Sequence, residues 1–192
     1  MIGKVLIFLK DQLNAYLDVK SGREPDETAE ELVVFVDGEK MDPIEFKLSA
    51  ISVLLISIEE EKILRSPNPY VTVDRNGTAQ QVQPEIRLNL YVLFVARFKK
   101  YEEGLSYLSW VLKYFQSHRT FNQQNAPALS EEIDQLTMEL VTLPFSEQNE
   151  VWNALRATYH PSILYKVKMV VFRDEEALTT GRVLEKDISF NQ

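Results

Sequence analysis

The stretch Ile86–Phe98 constrains this fold more than any other. Its even positions Ile86, Leu88, Leu90, Val92, Phe94, Ala96 and Phe98 are all apolar, and Arg87, Asn89, Tyr91, Leu93, Val95 and Arg97 stand between them. A period of two belongs to a β-strand, whose successive side chains leave opposite faces. One face is therefore wholly apolar and faces a core. The other is apolar in its middle and cationic at both ends, as expected of a half-covered surface. After Lys99-Lys100 the period changes: Leu105, Leu108, Leu112 and Phe115 recur at three and four residues, the spacing of one helical face. Tyr107, Trp110, Val111 and Tyr114 form a second stripe beside it. A surface helix on a monomer needs one stripe. The second is expected to meet a protein partner, with Tyr107, Trp110 and Tyr114 at a subunit interface.

The other elements are read around this strand, turn and helix. Gly3–Val19 is amphipathic, with Val5, Leu6, Leu9, Leu13, Tyr16 and Leu17 opposite Lys10, Asp11, Asn14 and Asp18, and Ser21-Gly22 ends the helix. An acidic loop leads to a short strand, Leu32–Val36, closed by Asp37-Gly38. Ile51–Leu64 is a long strand, apolar through Ile58 and then Glu59-Glu60-Glu61-Lys62, and Pro67 and Pro69 break it. Tyr70–Val82 reads as a hairpin on Asn76-Gly77, a type I′ turn signal, projecting as a finger. Phe121–Ser130, rich in Asn, Gln and Pro, is expected to be an extended connector. Leu136, Met138 and Leu140 mark the next strand. A short helix follows from Pro144, with Ser146 as its N-cap, Val151, Trp152 and Leu155 on its buried side, and His160-Pro161 at its end. Ile163–Val171 alternates again as the last strand. From Arg173 the chain is polar, with scattered apolar residues, an arm that orders on a partner. The fold class is α+β: a two-layer sandwich with a mainly antiparallel or mixed sheet and helices on one face. Residues 1–172 form one domain and 173–192 the arm.

Little in this chain points to chemistry. A net charge of −8 over 192 residues argues against nucleic acid and anionic membranes as partners. The absence of cysteine excludes disulfides and thiolate metal sites. The apolar run Met1–Leu9 is broken by Lys10-Asp11-Gln12, far short of the roughly 20 residues of a membrane span, so a soluble protein made in the cytoplasm is expected. His118 and His160 each fall at a predicted helix C-terminus and have no metal-ligand spacing. The glycines form no phosphate loop and no nucleophile elbow. Glu59, Glu60 and Glu61 are adjacent, but alternation sends neighbours to opposite faces, so they read as a solvated strand end. No catalytic, metal or cofactor-binding residue is expected. Arg87, Arg97, Lys166 and Lys168 read either as ordinary solvated charges or as a basic patch on the outer sheet face that docks an acidic protein. Tyr70 and Asn76 of the finger join them as docking candidates.

Seven segments stand in a telling order: Ile58-Glu59-Glu60-Glu61, Leu88-Asn89-Leu90-Tyr91-Val92-Leu93-Phe94, Tyr101-Glu102-Glu103, Tyr114-Phe115-Gln116, Leu136-Thr137-Met138-Glu139-Leu140, Trp152, and Pro161-Ser162-Ile163-Leu164-Tyr165-Lys166-Val167. With them the chain resembles the N-terminal domain of the cap, or tail-terminator, proteins of extracellular contractile injection systems, the phage-tail-like particles of the antifeeding-prophage type. The likeness runs from the first helix through the last strand. It implies a tail-terminator-like fold and a structural role: a six-fold homo-hexameric ring that closes the distal end of inner tube and sheath, stops polymerisation and anchors the last sheath layer. Tube and sheath proteins are the implied partners, and the family has no catalytic residues to carry over. Assembly in the cytoplasm and release within the particle are implied too. Longer members continue past this domain, whereas this sequence stops at Gln192. A short member would cap alone, share the end with a longer cap paralogue, or sit at another layer. A soluble adaptor or assembly chaperone for another particle component is the alternative, separated from a cap by its stoichiometry and location in purified particles.

Overall fold

The computed structural model describes residues 1–22, 30–40, 43–61, 71–73, 79–81 and 86–172, and at 40, 71–73, 79–81 and 169–172 it describes the backbone alone. Helix α1, Ile2–Ser21, buries Val5, Phe8, Leu9, Leu13 and Leu17, largely at spacings of four, so one stripe enters the core. Its end needs a glycine. Gly22 adopts φ 68°, the left-handed conformation, and its N–H turns back to Asp18 O and Val19 O.

Six strands form one sheet in the order β1-β2-β5-β8-β7-β6. They are β1 Val33–Phe35, β2 Ala50–Glu60, β5 Ile86–Arg97, β6 Thr120–Asn122, β7 Gln135–Val141 and β8 Ser162–Phe172, while β3 Val71–Val73 and β4 Ala79–Gln81 pair separately. Only β1 with β2 is parallel; the other pairs are antiparallel. The finger is thus seen as the β3–β4 ladder between β2 and β5. Its Asn76-Gly77 turn lies outside the described residues, as do Tyr70, Pro67, Pro69, most of the acidic loop and the arm 173–192.

Strand β5 sits at the centre and is buried on both faces, which decides the layering. Leu90, Val92, Phe94 and Ala96 join Ile51 and Val53 of β2 and Tyr165 and Val167 of β8 beneath α1 and α2, the latter spanning Tyr101–Ser117. Leu93 and Val95 face the other way, to Phe46, Leu164 and Trp152. Trp152 belongs to α3, Phe145–Ala154. The α+β class holds, with one correction: α1 and α2 cover one face, and short α3 covers the opposite face. The cause is legible in β5, whose odd positions Leu93 and Val95 also need burial.

Three further expectations change in detail. Phe121–Ser130 is no bare connector, because β6 pairs there with β7, Thr120 opposite Thr137. The loop after it packs Ala126, Leu129 and Ile133 into the core. Its folding is local: Asn122 Oδ1 accepts from the N–H groups of Gln124 and Asn125, and the Gln123 amide faces the carbonyls of Leu129, Ser130 and Ile133. Ser146 is not the N-cap of α3. Pro144 holds that place without a side-chain cap bond, and Ser146 falls inside the first turn. Finally, α3 stops at Ala154 rather than at His160, where Arg156 takes a left-handed φ of 50° and the chain turns away from the helix axis.

Candidate assembly surface

The second apolar stripe of α2 is used largely within the chain itself. Tyr107 is 7% exposed and Tyr114 5%. The Tyr107 ring stacks on Phe98 at 4.7 Å between centroids, and Trp110 meets it edge-on at 5.0 Å. Tyr114 lies against Tyr16 at 5.0 Å and donates its hydroxyl proton to Gln12 Oε1 at 3.0 Å, both on α1. Helix α1, lying beside α2, accounts for most of the extra breadth. Trp110 packs against the same core and stays half-buried, so of the three it alone keeps substantial ring surface outside.

Burial pushes the Tyr114 hydroxyl up to about 12, because the phenolate has lost its water. The unfolded chain gives up this proton near pH 10, the folded chain two units later. Between those values the unfolded state binds fewer protons, so stability is expected to fall as pH rises from about 10 to about 12. Tyr165, likewise raised by burial, adds in the same direction. Urea melts of wild type and Tyr114→Phe across that range check the origin. The variant is expected to lose less stability with pH; equal slopes would remove Tyr114 as the cause.

The four cations of the outer face do not form one patch. Arg87 and Arg97 lie at opposite ends of β5. Arg97 donates from Nη1 to Phe46 O at 2.5 Å and lines a cleft of about 350 Å³ with Phe35, Asp37, Glu45, Phe46, Lys47 and Leu48. Lys166 and Lys168 are brought together on β8, each beside a carboxylate. Lys166 Nζ is 2.7 Å from Glu59 Oε2 and 5.3 Å above the Tyr91 ring, and the Tyr91 hydroxyl donates to the same oxygen at 2.8 Å. Lys168 pairs with Glu139. The strand register produces this belt, since Tyr91 is opposite Lys166 and Lys166 opposite Glu139. The hydrogen bond from Lys166 holds the Glu59 carboxyl below its ordinary range, and Glu59 holds the ammonium above its own. The belt is locally neutral and not a cationic dock. Glu139 was missed in the sequence, because the signal, a carboxylate one strand from a lysine, appears only once strand order is known.

The histidines are on opposite faces of the sheet. His118 caps α2, its Nδ1 3.1 Å from Tyr114 O and its ring stacked on Tyr114 at 4.5 Å. His160 sits among Phe46 and Trp152, where burial first and the charge of Arg97 second hold its pKa down. Among the described residues no cluster of three or more histidines and carboxylates has the geometry of a metal site, and no helix is long and apolar enough to cross a membrane.

Sheet edges are a further feature able to receive another chain. The outer edge of β1 is closed by a side chain: Asn14 Nδ2 donates to Val33 O at 2.9 Å and its Oδ1 accepts from Val33 N–H at 2.8 Å. β1 covers β2 only over Ile51–Val53, and β7 covers β8 only as far as Lys168. Beyond those points, at the finger end, the described part of the sheet is three strands wide. There the outer edges of β2 and β8 have no strand neighbour among the described residues.

Residues 4–186 match the family model described as the Pvc16 N-terminal domain. No curated protein matches the chain. Among solved structures, the sheath/tube terminator of the extracellular contractile injection system PVC, in its extended state, aligns over 100% of this chain at 16% identity with a TM-score of 0.56. This chain spans 64% of that one. The tube-terminating cap of the anti-feeding prophage aligns over 72% of this chain and 49% of its own, at 16% identity and a TM-score of 0.46. The PVC likeness supports the terminator-like α+β fold.

Proposed function

The chain belongs to the Pvc16 N-terminal domain family, and from that premise we propose that it is a structural cap of a contractile injection system. It forms a homo-hexameric ring that closes the distal end of tube and sheath, stops their growth and anchors the last sheath layer. The family match over residues 4–186 carries this reading; the likeness of fold to a sheath/tube terminator supports it. The role is mechanical, without reaction or cofactor. The protein is assembled in the cytoplasm and leaves within the particle, alone at its end or beside a longer paralogue. Residues 1–172 act as the cap domain and 173–192 as an arm that, with the finger bearing Tyr70 and Asn76, reaches a neighbouring subunit, the tube or the sheath. Trp110 takes part in the subunit contact through the ring surface that α1 and Phe98 leave open. Arg87 and Arg97, at the two ends of β5, are the cations offered to tube or sheath.

Cryo-electron microscopy of particle ends tests the proposal. Six copies in a ring at one end are expected. An end of another symmetry, or one lacking this protein, would overturn it, and variable copy number away from the end would assign an adaptor or chaperone instead. Deleting residues 173–192 is expected to leave the circular dichroism spectrum unchanged and to give particles of irregular length or with open ends. Normal capping by the truncated chain would take the docking role away from the arm.

A further inference from the structure

Residues 43–49 form a strap across the outer face of the sheet, and their own backbone preference does not hold them there. Ser49 takes a left-handed φ of 62°, a region that residues bearing a side chain rarely adopt, so contacts with the surroundings fix the strap. Those contacts converge on Phe46. Its buried ring stands edge-on to Trp152 of α3 at 5.9 Å and to His160 at 5.6 Å, and His160 meets Trp152 at 6.2 Å. Arg97 Nη1 donates to Phe46 O at 2.5 Å, and Ser49 N–H donates to Arg97 O at 2.6 Å. The exposed ion pair of Lys47 with Glu30, at 3.0 Å, adds little.

His160 is the member of this cluster whose charge changes near neutrality. It is half-buried, so protons reach it. Its charged form is opposed twice, first by burial and then by Arg97. The other charges on the elements around it bring no relief. Glu45 and Lys47 flank Phe46 on the strap, Asp37 and Glu45 line the cleft with Arg97, and Glu150 and Arg156 stand either side of Trp152 in sequence. Burial and Arg97 are nevertheless what act on the ring. We propose that the cluster is an acid-sensitive latch: a proton on His160 sets a second cation against Arg97, the Phe46 ring leaves Trp152, and the strap lifts from β5. The cleft of about 350 Å³ that the strap walls widens as it goes. The latch belongs to the fold and stands apart from the cap reading. The His160 pKa is held below the ordinary 6.5, so the closed form binds fewer protons than the open one. The hold is therefore complete above pH 6.5 and is lost as pH falls from there through the folded value.

The chain has two histidines, on opposite faces of the sheet, which gives the test an internal control. Hydrogen exchange of the full chain between about pH 7.5 and about pH 5.5, corrected for the intrinsic rate, reads the strap at the Ser49 amide and the sheet at the Val92 amide. Protection at Ser49 is expected to fall about threefold or more across that range while Val92 keeps its own. His160→Gln is expected to abolish the fall, and His118→Gln to leave it in place. Should His160→Gln not fold, the wild type carries the test through proton resonances of the two imidazole rings and the fluorescence of Trp152 in a Trp110→Phe background. Trp152 emission is expected to change with the midpoint of the His160 ring. Constant protection at Ser49, an equal fall in His160→Gln, or emission that follows His118 overturns the latch.

Discussion

Replacing Phe94 by alanine is expected to remove about 3–5 kcal/mol of folding stability, the cost of an emptied aromatic site in a packed core. The ring is 0% exposed. It lies 5.6 Å from Phe115 of α2 and 6.1 Å from Tyr165 of β8, between Val53 of β2 and Ile163 of β8. The cavity would open where the helix layer meets the three longest strands, with rigid ladders on both sides that cannot close around it. Against a total of about 5–15 kcal/mol for a domain, that loss leaves a fraction of the chain unfolded near body temperature. Urea denaturation measures it. Phe145→Ala is the control: its ring is 86% exposed, so its midpoint is expected to move by less than about 0.5 kcal/mol. Equal effects of the two substitutions would refute the placement of the core.

The second large effect is expected from Asn14→Leu. Leucine fills a similar volume but leaves Val33 N–H and C=O without partners in a residue that is 0% exposed. Each buried backbone group left unsatisfied costs about 1–3 kcal/mol, so a loss of roughly 2–5 kcal/mol is expected, partly offset by the added apolar surface. Asn14→Asp keeps the acceptor for Val33 N–H and sets a second acceptor against Val33 O, which predicts a smaller loss. Hydrogen exchange locates the effect, with the Val33 amide losing protection in the leucine variant before the amides of β5 do. A change below about 0.5 kcal/mol would mean that water replaces the asparagine at no cost.

Strand β5 and helix α2 were legible because each carries a long run of one period. The structure bounds them at Ile86–Arg97 and Tyr101–Ser117, close to the limits that periodicity sets. Strand β6 was not legible. It is three residues long and is held by a partner strand and by Asn and Gln side chains bonding to backbone, interactions with no periodicity. The side on which α3 lies was written in Leu93 and Val95, yet those residues also suit a strand end, and only the pairing of Leu93 with Leu164 brings Trp152 over them. The breadth of the α2 stripe was read as a demand for a protein partner, and much of the surface that it meets belongs instead to α1 and Phe98 of the same chain. Cation positions were legible and their neutralisation was not, because Glu59 and Lys166 are separated by 107 residues.

The register break in β2 between Leu55 and Ser57 has an evolutionary consequence. Ile56 is the extra residue: Leu55 sits opposite Val92 and Ser57 opposite Tyr91, adjacent positions on β5. Removing Ile56 would therefore leave every other pairing where it is. A relative shorter by one residue at this point would keep Glu59 beside Lys166 and Ile58 opposite Leu90. The same deletion placed anywhere else between Ala50 and Leu55 would exchange the side chains of the two faces over part of the strand. Length variation in this lineage is thus expected to collect at a single column, and a gap aligned elsewhere in the strand would assign helix-facing residues to the wrong side.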